Sequence, residues 1–167
     1  MREGENKIVV NTSPWIALSI CGYTKLLKQL YKEIYMPVGV KEEILAGREG
    51  GIGVNELKSS SWLKIRKVAD AERVKFLYEL ECGEAEVIIL AKEKKIKQVL
   101  IDEKVARLQA KVLGLEAIGT LGLLLKAKKR NLLSEIKPLI EKMLQKGIWI
   151  KKEIIEGILK EAGEIEV

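Results

Sequence analysis

Short β-branched or apolar runs alternate with longer stretches of helical spacing along the whole chain. Lys7-Ile8-Val9-Val10 reads as a strand that ends at Asn11-Thr12-Ser13-Pro14. Pro14 suits the first turn of a helix there, with Ser13 or Thr12 as its cap. That helix is predicted from about Trp15 to Ser19, closing near Gly22. A second follows over 24–31, with Leu26, Leu27 and Leu30 on one face. Ile34-Tyr35-Met36-Pro37 is the next strand, and 40–46 a helix closed near Gly47. Residues 47–53 hold four glycines and predict a flexible loop, a candidate flap. A short helix over 54–58 leads to 62–68, where apolar and basic residues alternate imperfectly, as in an edge strand. Further helices are predicted over 70–79, 83–95, 105–113, 120–129, 134–146 and 151–161, that of 134–146 capped by Ser134 and stopped by Gly147. Strands are predicted at Val99-Leu100-Ile101 and Glu116-Ala117-Ile118, and 148–150 reads as extended.

Strands that alternate with helices predict an α/β domain. The expected architecture is a three-layer α/β/α arrangement with a mainly parallel central sheet, in one domain spanning 1–167. Residues 1–6 are expected to be disordered, and 151–167 to form a C-terminal helix and tail. In a parallel sheet, strand C-termini and the N-termini of the following helices share one edge, where ligands of open α/β sheets bind. Asn11 ends the first strand and Asp102 the central one. Glu43 lies early in the helix after the second strand, and Glu84 opens the helix leading into the central strand. All four are therefore expected at that edge.

Taken singly, each residue has an ordinary reading. The glutamates would be partners of a helix dipole, Asp102 a helix cap and Asn11 a turn residue. Their common edge adds something further. Carboxylates about 4 Å apart repel by several kcal/mol at an effective dielectric near 20, and a divalent cation removes that cost. Oxygen-only ligands favour Mg²⁺ or Mn²⁺, and such an ion beside a basic surface points to phosphodiester chemistry.

Composition narrows the chemistry. The chain of 167 residues has no histidine, which excludes Ser-His-Asp and Cys-His triads and histidine-ligated zinc. Cys21 and Cys82 fit neither a zinc motif nor a disulfide framework and are expected to be buried thiols. Net charge is +6. Between Lys104 and Lys152, twelve Lys and Arg face three Glu, which suits attraction of a polyanion to one half of the protein. No apolar run approaches the roughly 20 residues of a membrane span, and the N-terminus lacks a signal-peptide core, so a cytoplasmic protein is expected. The lean towards Lys, Glu and Ile resembles proteins from hot environments.

These segments together resemble the PIN-domain family, over nearly the full chain. Val9-Val10-Asn11-Thr12-Ser13-Pro14 resembles its first strand, where an acidic residue precedes a small hydroxyl residue. Residues 37–44, with Glu43, resemble its second acidic motif. Residues 83–91, with Glu84, resemble the third, and Leu100-Ile101-Asp102-Glu103 the fourth. Residues 118–124 resemble a stretch seen in a prokaryotic PIN-like branch that opens with Asn-Thr-Ser-Pro.

The resemblance implies a Mg²⁺- or Mn²⁺-dependent ribonuclease, with many prokaryotic relatives acting as toxins masked by an antitoxin protein. By position it makes Glu43, Glu84 and Asp102 the metal ligands, with Asn11 beside them as a weak fourth among the catalytic residues. Ser13 and Glu103 support the site, and Lys104 and Arg107 contact phosphates. Asn11 stands where the family usually has Asp, and Glu84 where it usually has the shorter Asp. The alternative is therefore a catalytically impaired PIN-like module that binds nucleic acid or a partner protein. A homodimer or an antitoxin complex would use exposed apolar residues, for which Trp15, Trp62 and Leu63 are candidates.

Overall fold

The structure, a computed structural model, describes residues 6–47 and 50–166. Five parallel strands form one sheet in the order β3-β2-β1-β4-β5. They are β1 (Lys7–Val10), β2 (Glu33–Pro37), β3 (Leu63–Arg66), β4 (Gln98–Leu100) and β5 (Glu116–Ile118). Ile8, Val9, Val10, Val99 and Leu100 are fully buried, as expected for central parallel strands covered on both faces. Helices α1 (Thr12–Cys21), α2 (Lys25–Leu30) and α3 (Val38–Leu45) surround β2 in sequence. Helices α4 (Val54–Ser59), α5 (Ala71–Lys75) and α6 (Cys82–Lys94) lie between β2 and β4. The remainder are α7 (Lys104–Val112), α8 (Thr120–Lys129), α9 (Lys137–Gln145) and α10 (Lys152–Glu161). The sheet is the middle layer of a three-layer α/β/α fold. Helix α6 packs over β1, β2 and β4 and against α3, α5 and α7. Helix α1 packs against α3, α8 and α9.

Strand order reverses between β1 and β4. The chain builds outward through β2 and β3, then returns to place β4 on the other side of β1. Such a reversal opens a crevice at the strand C-termini. Pairing continues past the formal strand ends: Asn11 N donates to Leu100 O at 3.1 Å and Ile101 N to Ile118 O at 2.9 Å. These bonds fix Asn11 and Asp102 on adjacent strands at one edge.

Local chemistry moves several element boundaries from their expected places. Helix α1 begins at Thr12, with Asn11 as an extended N-cap residue, so the site's first residue is itself a helix boundary. Helix α5 ends at Lys75, short of the expected 79. Phe76 and Tyr78 beyond it are 78% and 84% exposed, which leaves the predicted last turns little apolar face to bury. Helix α9 starts at Lys137 and not at Ser134. Its free N–H groups are taken by Glu164, whose carboxylate accepts from Ile136 N at 2.8 Å and Lys137 N at 2.9 Å. A distant acid thus does the work expected of a local serine.

Trp15 is fully buried and Leu63 nearly so, so neither can line an outer surface. Trp62 is partly buried against the core, its ring centroid 6.1 Å from that of Trp15. Of the two cysteines only Cys21 is buried; Cys82 is exposed at the start of α6. From the glycine loop, residues 48 and 49 lie outside the described residues, as do 1–5 of the expected disordered tail. The far end of that loop is anchored: Trp15 Nε1 donates to Gly53 O at 3.0 Å. Gly53 sits at φ +90°, a backbone state in which a Cβ is strained. Among the described residues no helix is long and apolar enough to cross a membrane.

Candidate metal and nucleic-acid site

Asn11 and Glu43 meet where β1 ends, α3 passes and α6 begins, with Glu84 close by in the first turn of α6. Gly83 marks the meeting point. A Cβ built on Gly83 would lie 2.9 Å from Glu43 Oε2 and 3.5 Å from Asn11 Oδ1. A side chain there would crowd Glu43 Oε2, while Asn11 Oδ1 would be left in ordinary contact. Glu43 is positioned from the other side by Thr12, whose hydroxyl donates to Glu43 Oε2 at 2.9 Å. Glu84 follows Gly83 directly and is 7% exposed; Asn11 is 5% exposed. Glu84 Oε1 accepts from Glu81 N at 3.1 Å, within a capping box that opens α6. Burial pushes the Glu84 carboxyl above its ordinary value, against that backbone bond, and the charges of Glu103, Glu81 and Glu43 add to the rise.

A groove of about 520 Å³ opens beside this cluster, lined by Glu42, Glu43, Glu81, Cys82 and Gly83 among others. Cys82 Sγ donates to Glu86 Oε1 at 3.6 Å. Burial, followed by the nearby Glu86 and Glu43 charges, raises the thiol's pKa, so the group stays protonated and adds no thiolate to the wall.

Asp102 stands at the next strand end, in a different setting. Thr120 N donates to its Oδ1 and Thr120 Oγ1 to its Oδ2, each at 2.7 Å. Arg107 Nη1 donates to the Asp102 backbone oxygen. Asp102 lines a larger cleft of about 720 Å³, whose walls include Ser13, Lys104 and Arg107. Glu103 caps α7, accepting from Ala106 N at 2.8 Å. The expected edge therefore has two compartments, one with Asn11, Glu43 and Glu84 and one with Asp102, Ser13, Lys104 and Arg107.

Along this edge the chain carries oxygen donors and basic groups on a sheet of order 3-2-1-4-5. A family profile described as the PIN domain matches residues 7–164. The chain belongs to the PIN-domain family. No curated protein matches it significantly. PIN domains are in general nucleases that depend on a divalent metal and act on RNA.

Among the described residues no three His, Cys, Asp or Glu side chains are placed to share one ion. Both Asp102 oxygens accept bonds from Thr120. Two oxygens do come together over Gly83, Glu43 Oε2 and Asn11 Oδ1, and the Glu84 carboxyl, next in the chain, feels the Glu43 charge. All are hard oxygen donors, the type Mg²⁺ and Mn²⁺ take. Thr12, Gly83 and Thr120, which position these donors, were not among the expected site residues. Each lies inside or beside a segment carrying the family resemblance, and their small or hydroxyl character at helix starts was the available signal.

Proposed function

We propose that this PIN domain hydrolyses RNA phosphodiester bonds with Mg²⁺ or Mn²⁺. The observation that carries this reading is the convergence of Asn11 Oδ1 and Glu43 Oε2 over Gly83, next to the buried Glu84. Glu43 and Glu84, with the amide oxygen of Asn11, would hold the ion. A divalent ion bound there supplies Lewis-acid polarisation of the phosphate and a more acidic water. Asp102 adds a fixed negative charge at the adjoining strand end, and Glu103 adds another nearby. Thr12 holds Glu43 in register, and Ser13 presents a hydroxyl to the neighbouring cleft. Lys104 and Arg107 offer charge to the phosphates of the strand being cut.

The test is cleavage of single-stranded RNA with Mg²⁺ or Mn²⁺ by the wild type, Glu43→Gln and Asp102→Asn. Wild-type cleavage with a marked loss in both variants is expected; equal activity in all three would refute the reading.

A second reading rests on Asn11, which brings no charge where the family usually has Asp. In that reading the chain binds RNA or a partner protein without cutting. Asn11→Asp separates the two: it raises cleavage in an active site and leaves an inactive one silent. For a masking antitoxin or a second copy, one side of α7 supplies a face, with Val105, Leu108 and Val112 exposed at i, i+3 and i+7. Light scattering of the purified chain gives the oligomeric state.

A further inference from the structure

Trp149 is 78% exposed, although its surroundings are well anchored. It sits in the link between α9 and α10. Ile148 N donates to Met143 O at 3.1 Å, and Ile148 and Ile150 pack partly into the core. In an extended stretch alternate side chains point to opposite sides, so burying Ile148 and Ile150 turns the indole outward. Trp15 is fully buried and Trp62 packs against it. Only Trp149, of the three tryptophans, offers an open ring face.

That ring lines the larger cleft, together with Lys104, Arg107, Lys151 and Asp102. The cleft floor is apolar, with Ile16 and Leu121 among its walls. Among the described residues Lys104 and Lys151 form no ion pair. An apolar peptide seated here would leave these cations without counter-charge. A polyanion with flat aromatic groups satisfies both features at once.

We propose that Trp149 is a stacking platform for one unpaired base of a single-stranded nucleic acid, whose flanking phosphates are held by Lys104, Arg107 and Lys151. This rests on the nuclease reading for its ligand class, since the platform lies in the cleft that Asp102 shares. It also names the substrate form. A base within a duplex is already stacked and cannot present its face to a cleft wall, whereas an unpaired base can.

The experiment measures binding in EDTA, so that cleavage plays no part. The probe is a short fluorescein-labelled oligouridylate, followed by anisotropy, with melting temperature as a folding control. Trp149→Ala is expected to weaken binding about 5- to 150-fold, the range for loss of one base–aromatic stack. Trp149→Phe should keep most of the affinity. An oligonucleotide of the same length with abasic positions should bind wild type and Trp149→Ala alike. The salt dependence should be unchanged in Trp149→Ala, while Lys151→Ala lowers the logarithmic slope by about 0.7.

Wild-type affinity in Trp149→Ala, or an equal loss on the abasic strand, would overturn the platform and leave the nuclease reading standing. So would equally tight, Trp149-dependent binding of a duplex. Failure of the wild type to bind any single strand in EDTA would overturn the platform, and absence of RNA cleavage with Mn²⁺ would separately overturn the nuclease reading.

Discussion

Thr120 grips Asp102 with two bonds, one from its backbone N–H and one from its hydroxyl, each 2.7 Å long. The pair joins the end of the central strand to the start of α8 and sets the direction of the carboxylate. Thr120→Val keeps the side-chain volume and removes the hydroxyl. The expected loss is about 1 kcal/mol of stability and about 10- to 100-fold in cleavage rate, the usual effect of freeing a site carboxylate from its partner. Unfolding in urea and an RNA cleavage assay measure the two. Full activity in the variant would mean that the carboxylate's direction is irrelevant to the site.

Gly83→Ala separates stability from site geometry. The added methyl would press within 2.9 Å of Glu43 Oε2, the far end of a side chain, so Glu43 shifts and its bond from Thr12 is disturbed while the backbone stays in place. Alanine also favours the helix by up to about 1 kcal/mol. The melting temperature should therefore hold or rise, while stabilisation by Mn²⁺ falls. Calorimetry of the apo and Mn²⁺-loaded variant reads both effects.

Glu164 ties the C-terminal segment to α9 and to Lys128, with a side chain only 8% exposed. Burial opposes its charge, but bonds from Lys137 N, Ile136 N and Lys128 prevail and lower its pKa. A lowered carboxylate pKa contributes stability above the usual value of 4.5, and that contribution is lost as pH falls through the folded value. Glu164→Gln should cost about 1–3 kcal/mol near neutral pH, and the gap from wild type should shrink as the solution is acidified below 4.5. Melting curves across pH test this.

Glu84 carries the opposite sign. Its pKa is raised, chiefly by burial, so it weakens the metal-free fold once pH climbs past the usual carboxylate value and the group must ionise. Glu84→Gln keeps the oxygen that accepts from Glu81 N and removes the charge. Without metal, the variant should melt higher than wild type at neutral pH and equal to it in acid. A neutral-pH melting temperature below that of wild type would contradict this.

The layered parallel fold was legible because strand and helix periods alternate cleanly, and the closing glycines fall where helices end. What the alternation could not show was how distant groups replace local ones. Glu164 caps α9 across a long stretch of chain, so Ser134 misled as a cap. The places of Asn11 at a strand end and Glu84 at a helix start follow from the alternation, but Glu43, expected early in its helix, reaches the edge from the last turn of α3 instead. The direction of the Asp102 carboxylate does not follow from the alternation, because it depends on which hydroxyl the next strand delivers. The exposure of Trp149 was equally hidden: its two isoleucine neighbours take the inward places of a three-residue extended link.

The most direct test of the oxygen cluster is a Mn²⁺ titration of melting temperature with wild type, Asn11→Asp and Glu43→Gln. A ligand at 100 times its Kd stabilises by about 2.7 kcal/mol, or roughly 5–10 °C for a domain of this size. Wild type should show a saturable rise, Asn11→Asp should reach it at lower Mn²⁺, and Glu43→Gln should lose most of it. Identical curves for all three proteins would contradict the account.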